Sequence, residues 1–312
     1  MKNLIYPFLL ILLTTSLAHG QNLPIFHQKL TDDFMFNSAY TGISGGSVSV
    51  NYRKLWTGIS QAPDIFYTSG HAQLKSLPIG LGGSLYTERQ DYISNFRGSF
   101  STSYQIDLSS EYSLSFGLGV EFFQSNIDQN NIFVKDLDDP LLDVPNTIQW
   151  DLSSGIVLSH ELFDFGLGYG RMISDWSNDS TSIFASFVAL NGNAYIPVRY
   201  GYDILEPRVF YQINPVGENI LNASVFYTYD NQYLLGVSYR SESVGAVSIG
   251  LRWDNRYLLA YSVESRLDKE GSELGFGHEL TLRFDLNKQC FRRVNNNTTK
   301  GINSSTFRKK SN

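Results

Sequence analysis

The residues able to do chemistry are few and scattered. Gly42-Ile43-Ser44-Gly45-Gly46 fits the pattern G-x-S-x-G, which presents a nucleophilic serine when a strand precedes it and a helix follows. Here a strand-like run follows, so the stretch reads as a loop entering a strand. His27, His71, His160 and His278 lie on separate segments with no two at ligand spacing, and we expect no metal there. Asp136-x-Asp138-Asp139, with Asp128 and Asp143 nearby, could offer carboxylate oxygens to Ca²⁺. It lacks the glycine turn and distal glutamate of an EF-hand, so a solvated acidic loop is expected. Cys290 is the single cysteine, which excludes an intrachain disulfide framework and a cysteine-cluster metal site. No catalytic constellation emerges and no cofactor is implied.

What must position these residues is read from composition and period. Aromatic residues make up 14% and charged residues 17% of the 312, against about 25% charge in ordinary globular domains. From Tyr92 to Ile106, the residues Tyr92, Phe96, Phe100, Tyr104 and Ile106 share one parity, and Asn95, Arg97, Ser99, Ser101 and Ser103 the other. A helix mixes such sets at every turn, whereas a strand keeps them apart. Leu114, Phe116, Leu118 and Val120 against Ser115, Gly117, Gly119 and Glu121 repeat the pattern. Asp230-Asn231-Gln232 and Asp254-Asn255-Arg256 read as very tight turns, because Asn and Asp tolerate left-handed backbone.

Residues 1–20 read as a secretory signal peptide: Lys2, an apolar run, then Ala18-His19-Gly20 before a cut at Gln21. Beyond them no run of 18 apolar residues offers a transmembrane helix. We count fourteen strands within residues 46–286, including one at 163–173. Those around 182–213 alternate weakly, and Pro197 and Pro207 interrupt them. An even count, with long connections after several odd strands, predicts an all-β antiparallel barrel of the outer membrane with both termini in the periplasm. A soluble, exported β-sandwich or β-helix is the alternative. Residues 21–45 precede the barrel and could plug its lumen. Gly80, Gly82, Gly117, Gly119, Gly166, Gly168 and Gly170 carry the polar, lumen parity, marking either close approach of another backbone or simple thinning of a crowded interior. Lumen-parity charges of both signs (Arg97, Glu121, Asp151, Arg240, Arg252, Glu264, Glu279, Arg283 and Asp285) are mixed. Every acid of the chain lies between 21 and 286, whereas 287–312 carries Lys288, Arg292, Arg293, Lys300, Arg308, Lys309 and Lys310 and no acid. That basic tail reads as disordered and periplasmic. No nucleic-acid partner is expected.

Several short motifs, in order, resemble one family. Asn37-Ser38-Ala39-Tyr40-Thr41-Gly42 is similar to the N-P-A-Y-x-G signature of the PorP/SprF family, with Ser38 in the place of proline. Trp56-x-Gly58 followed by Ala62-Pro63 resembles its W-x-G-x-x-x-A-P loop. Gly236-Val237-Ser238-Tyr239-Arg240 and His278-Glu279 resemble later motifs. The resemblance implies a non-enzymatic outer-membrane protein of the type IX secretion and gliding machinery of Bacteroidetes. Its implied partners are outer-membrane lipid, other type IX components and large secreted adhesins with a C-terminal sorting domain, which it would help secrete or anchor. A porin or hydrophobic-solute channel is the alternative. Trp56, Ile59 and Trp176 sit in expected outer loops and are candidate partner contacts, since Trp is enriched in binding hot spots; for the two tryptophans, the aromatic girdle at the membrane surface is the rival position.

Overall fold

The computed structural model describes residues 25–27, 33–128, 148–177, 185–215, 217–268 and 274–287. The acidic residues Asp136, Asp138, Asp139 and Asp143, the expected signal peptide, and all of the basic tail but its first residue lie outside them. Among the described residues the chain forms fifteen strands: β1 Gly46–Lys54, β2 Asp64–Gln73, β3 Ile79–Gln90, β4 Ile93–Asp107, β5 Ser113–Ile127, β6 Gln149–Ser159, β7 Phe163–Gly170, β8 Phe187–Ala194, β9 Ile196–Val198, β10 Asp203–Ile213, β11 Ile220–Tyr229, β12 Tyr233–Arg240, β13 Val244–Trp253, β14 Tyr257–Arg266 and β15 Gly277–Asp285. Each strand pairs antiparallel with its neighbour, and β1 closes on β15 through pairs such as Val50 with Leu282. β9 continues β8 along the same edge of β10, Asn193 facing Arg208 and Ile196 facing Leu205. The barrel therefore has fourteen staves.

Among the described residues closure leaves no sheet edge unpaired, which a bilayer demands of any strand structure. The faces are sorted as the period requires. Along β12, residues 233–240 alternate strictly, exposed then buried. The exposed members are Tyr233, Leu235, Val237 and Tyr239, and the buried ones include Ser238 and Arg240. Leu118 on β5 is 65% exposed, while Glu121 on the same strand is buried. An apolar exterior around a polar interior inverts the soluble pattern, and lipid is the solvent that suits it. Aromatic pairs line the outer rim near one end: Tyr229–Tyr233 at 6.5 Å, Trp253–Tyr257 at 5.2 Å and Tyr257–Phe284 at 5.1 Å.

Connections at that end are short: 74–78, 108–112, 160–162, 199–202, 230–232 and 254–256. Asp230, Asn231, Asp254 and Asn255 all take positive φ, as the sequence leads one to expect of these turns. The long connections 55–63, 128–148, 171–186 and 267–276 lie at the opposite end. Two elements differ from expectation. The strand expected at 163–173 stops at Gly170, and a short helix, α2 Met172–Ser177, takes over (the label α1 is given to Asp33–Phe36). Arg171 between them has φ 60°, which breaks the strand. The weak region around 182–213 holds β8, β9 and β10, with Pro207 inside β10 opposite Val225.

Candidate functional site

Residues 33–45 lie against the lumen face. α1 is a single turn with Phe34, Met35 and Phe36 buried. Asn37 then becomes extended and caps the next turn, Ser38–Tyr40: its side-chain oxygen accepts from Ala39 N at 2.9 Å. Its amide nitrogen donates to Ile156 O of β6 at 3.3 Å. Barrel side chains satisfy the backbone carbonyls that follow. Ser115 Oγ donates to Ala39 O at 2.7 Å, and Ser103 Oγ to Thr41 O at 2.6 Å. Gly42, at φ 73°, donates its N–H to His71 Nδ1 at 2.9 Å. Tyr40 OH donates to Asp164 Oδ1 and accepts from Asn191 Nδ2, both at 2.5 Å. Phe36 packs on Phe210 and Phe187, with centroids 4.8 and 5.9 Å away. A buried polar backbone is tolerable only when its groups are paired in this way.

The glycine question resolves position by position. A Cβ on Gly117 would lie 2.2 Å from Ala39 N, and one on Gly80 2.2 Å from Thr41 O. Gly168 likewise faces Phe36 and Asn37, whereas Gly166 faces Asn191 of the barrel as well as Asn37 and Tyr40. At Gly117, Gly80 and Gly168 the approach of the N-terminal segment explains the glycine. Gly82, Gly119 and Gly170 instead face His71, Ser153 and Phe187 of the barrel itself. Gly155 belongs with the first group, since its Cβ would meet Asn37 Oδ1 at 1.9 Å. Its lumen parity, shared with Asp151 and Ser153, is visible in the sequence.

Residues 25–27 occupy the other half of the lumen. Arg53 Nη1 and Arg240 Nη1 both donate to Ile25 O, at 3.0 and 3.3 Å. His27 N donates to Glu279 Oε2 at 2.9 Å, and its ring meets Ser238 Oγ at 2.9 Å and the Glu264 carboxylate. Phe26 lies 5.7 Å from Tyr67. Together with Met35, Phe36, Tyr86 and Phe123 these residues form an apolar core inside a polar-lined barrel.

Several lumen charges are paired with a neighbour of opposite sign. Arg53 reaches both oxygens of Glu264 at 2.7 and 2.6 Å, Arg97 reaches Glu121 at 2.9 Å, and Arg208 reaches Glu206 at 3.3 Å. Arg252 faces Asp285 at 3.5 Å. Arg53, Arg208 and Glu206 were not singled out from sequence, although their parity placed them inward. Side chains across the lumen, among them Ser49, Asn51, Ser248, Ser262 and Thr281, are buried. Charges paired in place and side chains without solvent contact do not form the separated acidic and basic walls of a water-filled pore.

The expected loop contacts lie away from the lumen, in the long connections 55–63 and 171–186. Trp56 is half-buried at φ 45°, and its carbonyl accepts from Ile59 N at 2.9 Å. Gly58 N donates to Leu274 O at 3.3 Å, and Gly275 presses on Gly58, where a Cβ would lie 2.8 Å from its nitrogen. Ala62 and Pro63 are buried, and Pro63 O accepts from Leu55 N at 3.0 Å. Gly58, Ala62 and Pro63 therefore shape one loop against another. Ile59 is exposed, and Trp176, on α2, is 68% exposed. Trp56 and Trp176 lie in separate connections, 55–63 and 171–186. Ser44 of the G-x-S-x-G stretch sits at φ 58° in a turn leading directly into β1, not between a strand and a helix. His160 stacks on Phe163 at 4.8 Å, and His278 meets Tyr261 OH at 2.6 Å.

Comparison with curated proteins returns no match. Solved structures with a similar arrangement share little sequence. They include the outer membrane protein Omp33 of Acinetobacter baumannii, at TM-score 0.47 and 8% identity, covering 78% of this chain and 98% of that one. The TodX monoaromatic hydrocarbon channel, as a deletion mutant, gives 0.43 and 10%, covering 80% and 92%. The KdgM porin gives 0.38 and 10%, covering 77% and 99%. A family model described as type IX secretion system membrane protein PorP/SprF matches residues 18–284. With its strands closed around a polar interior and its N-terminal motif packed in that interior, the chain belongs to the PorP/SprF family of type IX secretion system membrane proteins.

Proposed function

We propose that this outer-membrane barrel is a non-enzymatic component of type IX secretion that helps secrete or anchor large surface proteins. In this reading the chain is exported by a signal peptide cut after Gly20. Residues 21–45 serve as a lumen plug, and the long loops face the exterior. The cargo is a secreted protein whose C-terminal sorting domain the barrel binds, in company with other type IX components. Residues 287–312 form a basic periplasmic tail. One observation carries the choice of a protein-binding role over a solute channel: segment 33–45 and residues 25–27 pack on lumen side chains that are themselves paired and buried. A solute path needs the space they occupy. The experiment is a clean deletion strain. We expect one or a few large exported proteins to be lost from the cell surface, with small-solute uptake unchanged. Normal surface display in that strain would end the proposal and favour the channel.

A further inference from the structure

We infer that the processed chain leaves the barrel at opposite faces, its amino end beside the long loops and its carboxyl end beside the short turns. The inference rests on the cleavage after Gly20 proposed above and replaces the expectation of two periplasmic termini. Ile25 and His27 are held by Arg53, Ser238, Arg240, Glu264 and Glu279. Arg53 is the last residue but one of β1, Ser238 and Arg240 are at the end of β12, and Glu264 is near the end of β14. Those strands run toward the long-loop face, while Glu279 is near the start of β15, which comes from it. From there the chain descends. Met35 O accepts from Arg97 in the upper part of β4, Asn37 lies at mid-barrel beside Gly155, and Ala39 lies beside Gly117. Thr41 reaches Ser103 and Gly80 near the short-turn face, where β1 begins. The other end of the barrel sequence is also there: β15 ends at Asp285, and Leu286 N donates to Gly46 O at 3.0 Å.

Length then decides where the amino end goes. The four residues from Gln21 to Ile25 span at most about 14 Å when fully extended. The apolar band of an outer-membrane barrel is about 25 Å tall. Returning to the short-turn face would need a second path through a lumen already packed by residues 33–45. From Ile25 the near exit is the long-loop mouth, the face that carries Trp56, Ile59 and Trp176.

Cysteine labelling tests this. Cys290 is changed to Ser, and single cysteines are introduced as Asn22→Cys, Trp176→Cys and Gln232→Cys. Intact cells and cells with permeabilised outer membranes are treated with a membrane-impermeant maleimide. Heat-dependent gel mobility confirms a folded barrel in each variant, and the intact mass confirms the cut after Gly20. We expect Asn22→Cys to label under the same condition as Trp176→Cys and the opposite one from Gln232→Cys. Labelling that follows Gln232→Cys, or no labelling in either condition, would overturn the inference. An uncut chain in the mass measurement would instead show failure of the cleavage reading on which it rests. Which condition labels Trp176→Cys reports the sidedness of the barrel independently.

Discussion

Gly117→Val is the sharpest probe of the packed segment. The first new carbon would lie 2.2 Å from Ala39 N and 2.3 Å from Ser38 C, both backbone atoms that cannot swing aside as a side chain does. Restoring ordinary contact near 3.5 Å requires the segment to retreat by roughly 1 Å. Overpacking of this kind costs about 1–3 kcal/mol. The retreat also strains the 2.7 Å bond from Ser115 Oγ to Ala39 O, and losing it adds about 1 kcal/mol. Together the expected loss is about 2–4 kcal/mol. The assay is urea unfolding of the barrel refolded in lipid vesicles, read by heat-dependent gel mobility. Gly70→Ala is the control, since a Cβ there meets only Val48 Cγ2 at an ordinary 3.7 Å. A wild-type midpoint for Gly117→Val as well as for Gly70→Ala would show that residues 38 and 39 do not press on β5.

Three further outcomes follow from the same geometry. Leu118→Arg puts a charge on the lipid face and should cost about 2–4 kcal/mol near the midplane, read in the same vesicle assay; a neutral result would remove β5 from the lipid wall. Arg53→Met takes from buried Glu264 its guanidinium partner and from the Ile25 carbonyl one of its two arginine donors, for which we expect a loss of about 3–5 kcal/mol. The double variant Arg53→Met with Glu264→Gln should recover part of that loss, and no recovery would count against a charge-pair origin. Substituting both Trp56 and Ile59 with Ala should leave barrel levels normal while cargo is lost to the medium or held in the periplasm. Intact display with poorer insertion would assign Trp56 to the membrane girdle.

The barrel was legible in the sequence because the lumen and lipid faces differ in chemistry along most strands. Residues 92–106 and 112–122 show it plainly. The region around 182–213 did not read well for a physical reason: Phe187, Ala189 and Phe210 are buried on the inner face, where Phe187 and Phe210 pack on Phe36. Their inward apolar side chains erase the polar parity that marks a lumen. Phe226, Leu234, Leu258 and Ala260 form another apolar cluster of buried residues. The glycines at lumen parity left open close approach of another backbone or thinning of a crowded interior, and which of them is touched depends on the path of residues 33–45 through the barrel. Local periodicity carries no record of that path. The pairing of Arg53 with Glu264 is equally nonlocal, since it depends on closure of β1 through β15 to β14.

Planar-bilayer conductance tests the central claim most directly. The intact protein should insert without a large steady conductance if residues 25–27 and 33–45, which pack against lumen side chains, act as the proposed plug. A variant lacking residues 21–45 of the mature chain, confirmed to fold by heat-dependent gel mobility, should open steady channels. A large steady conductance from the intact, folded protein would contradict a filled lumen and return the solute-channel reading to the front.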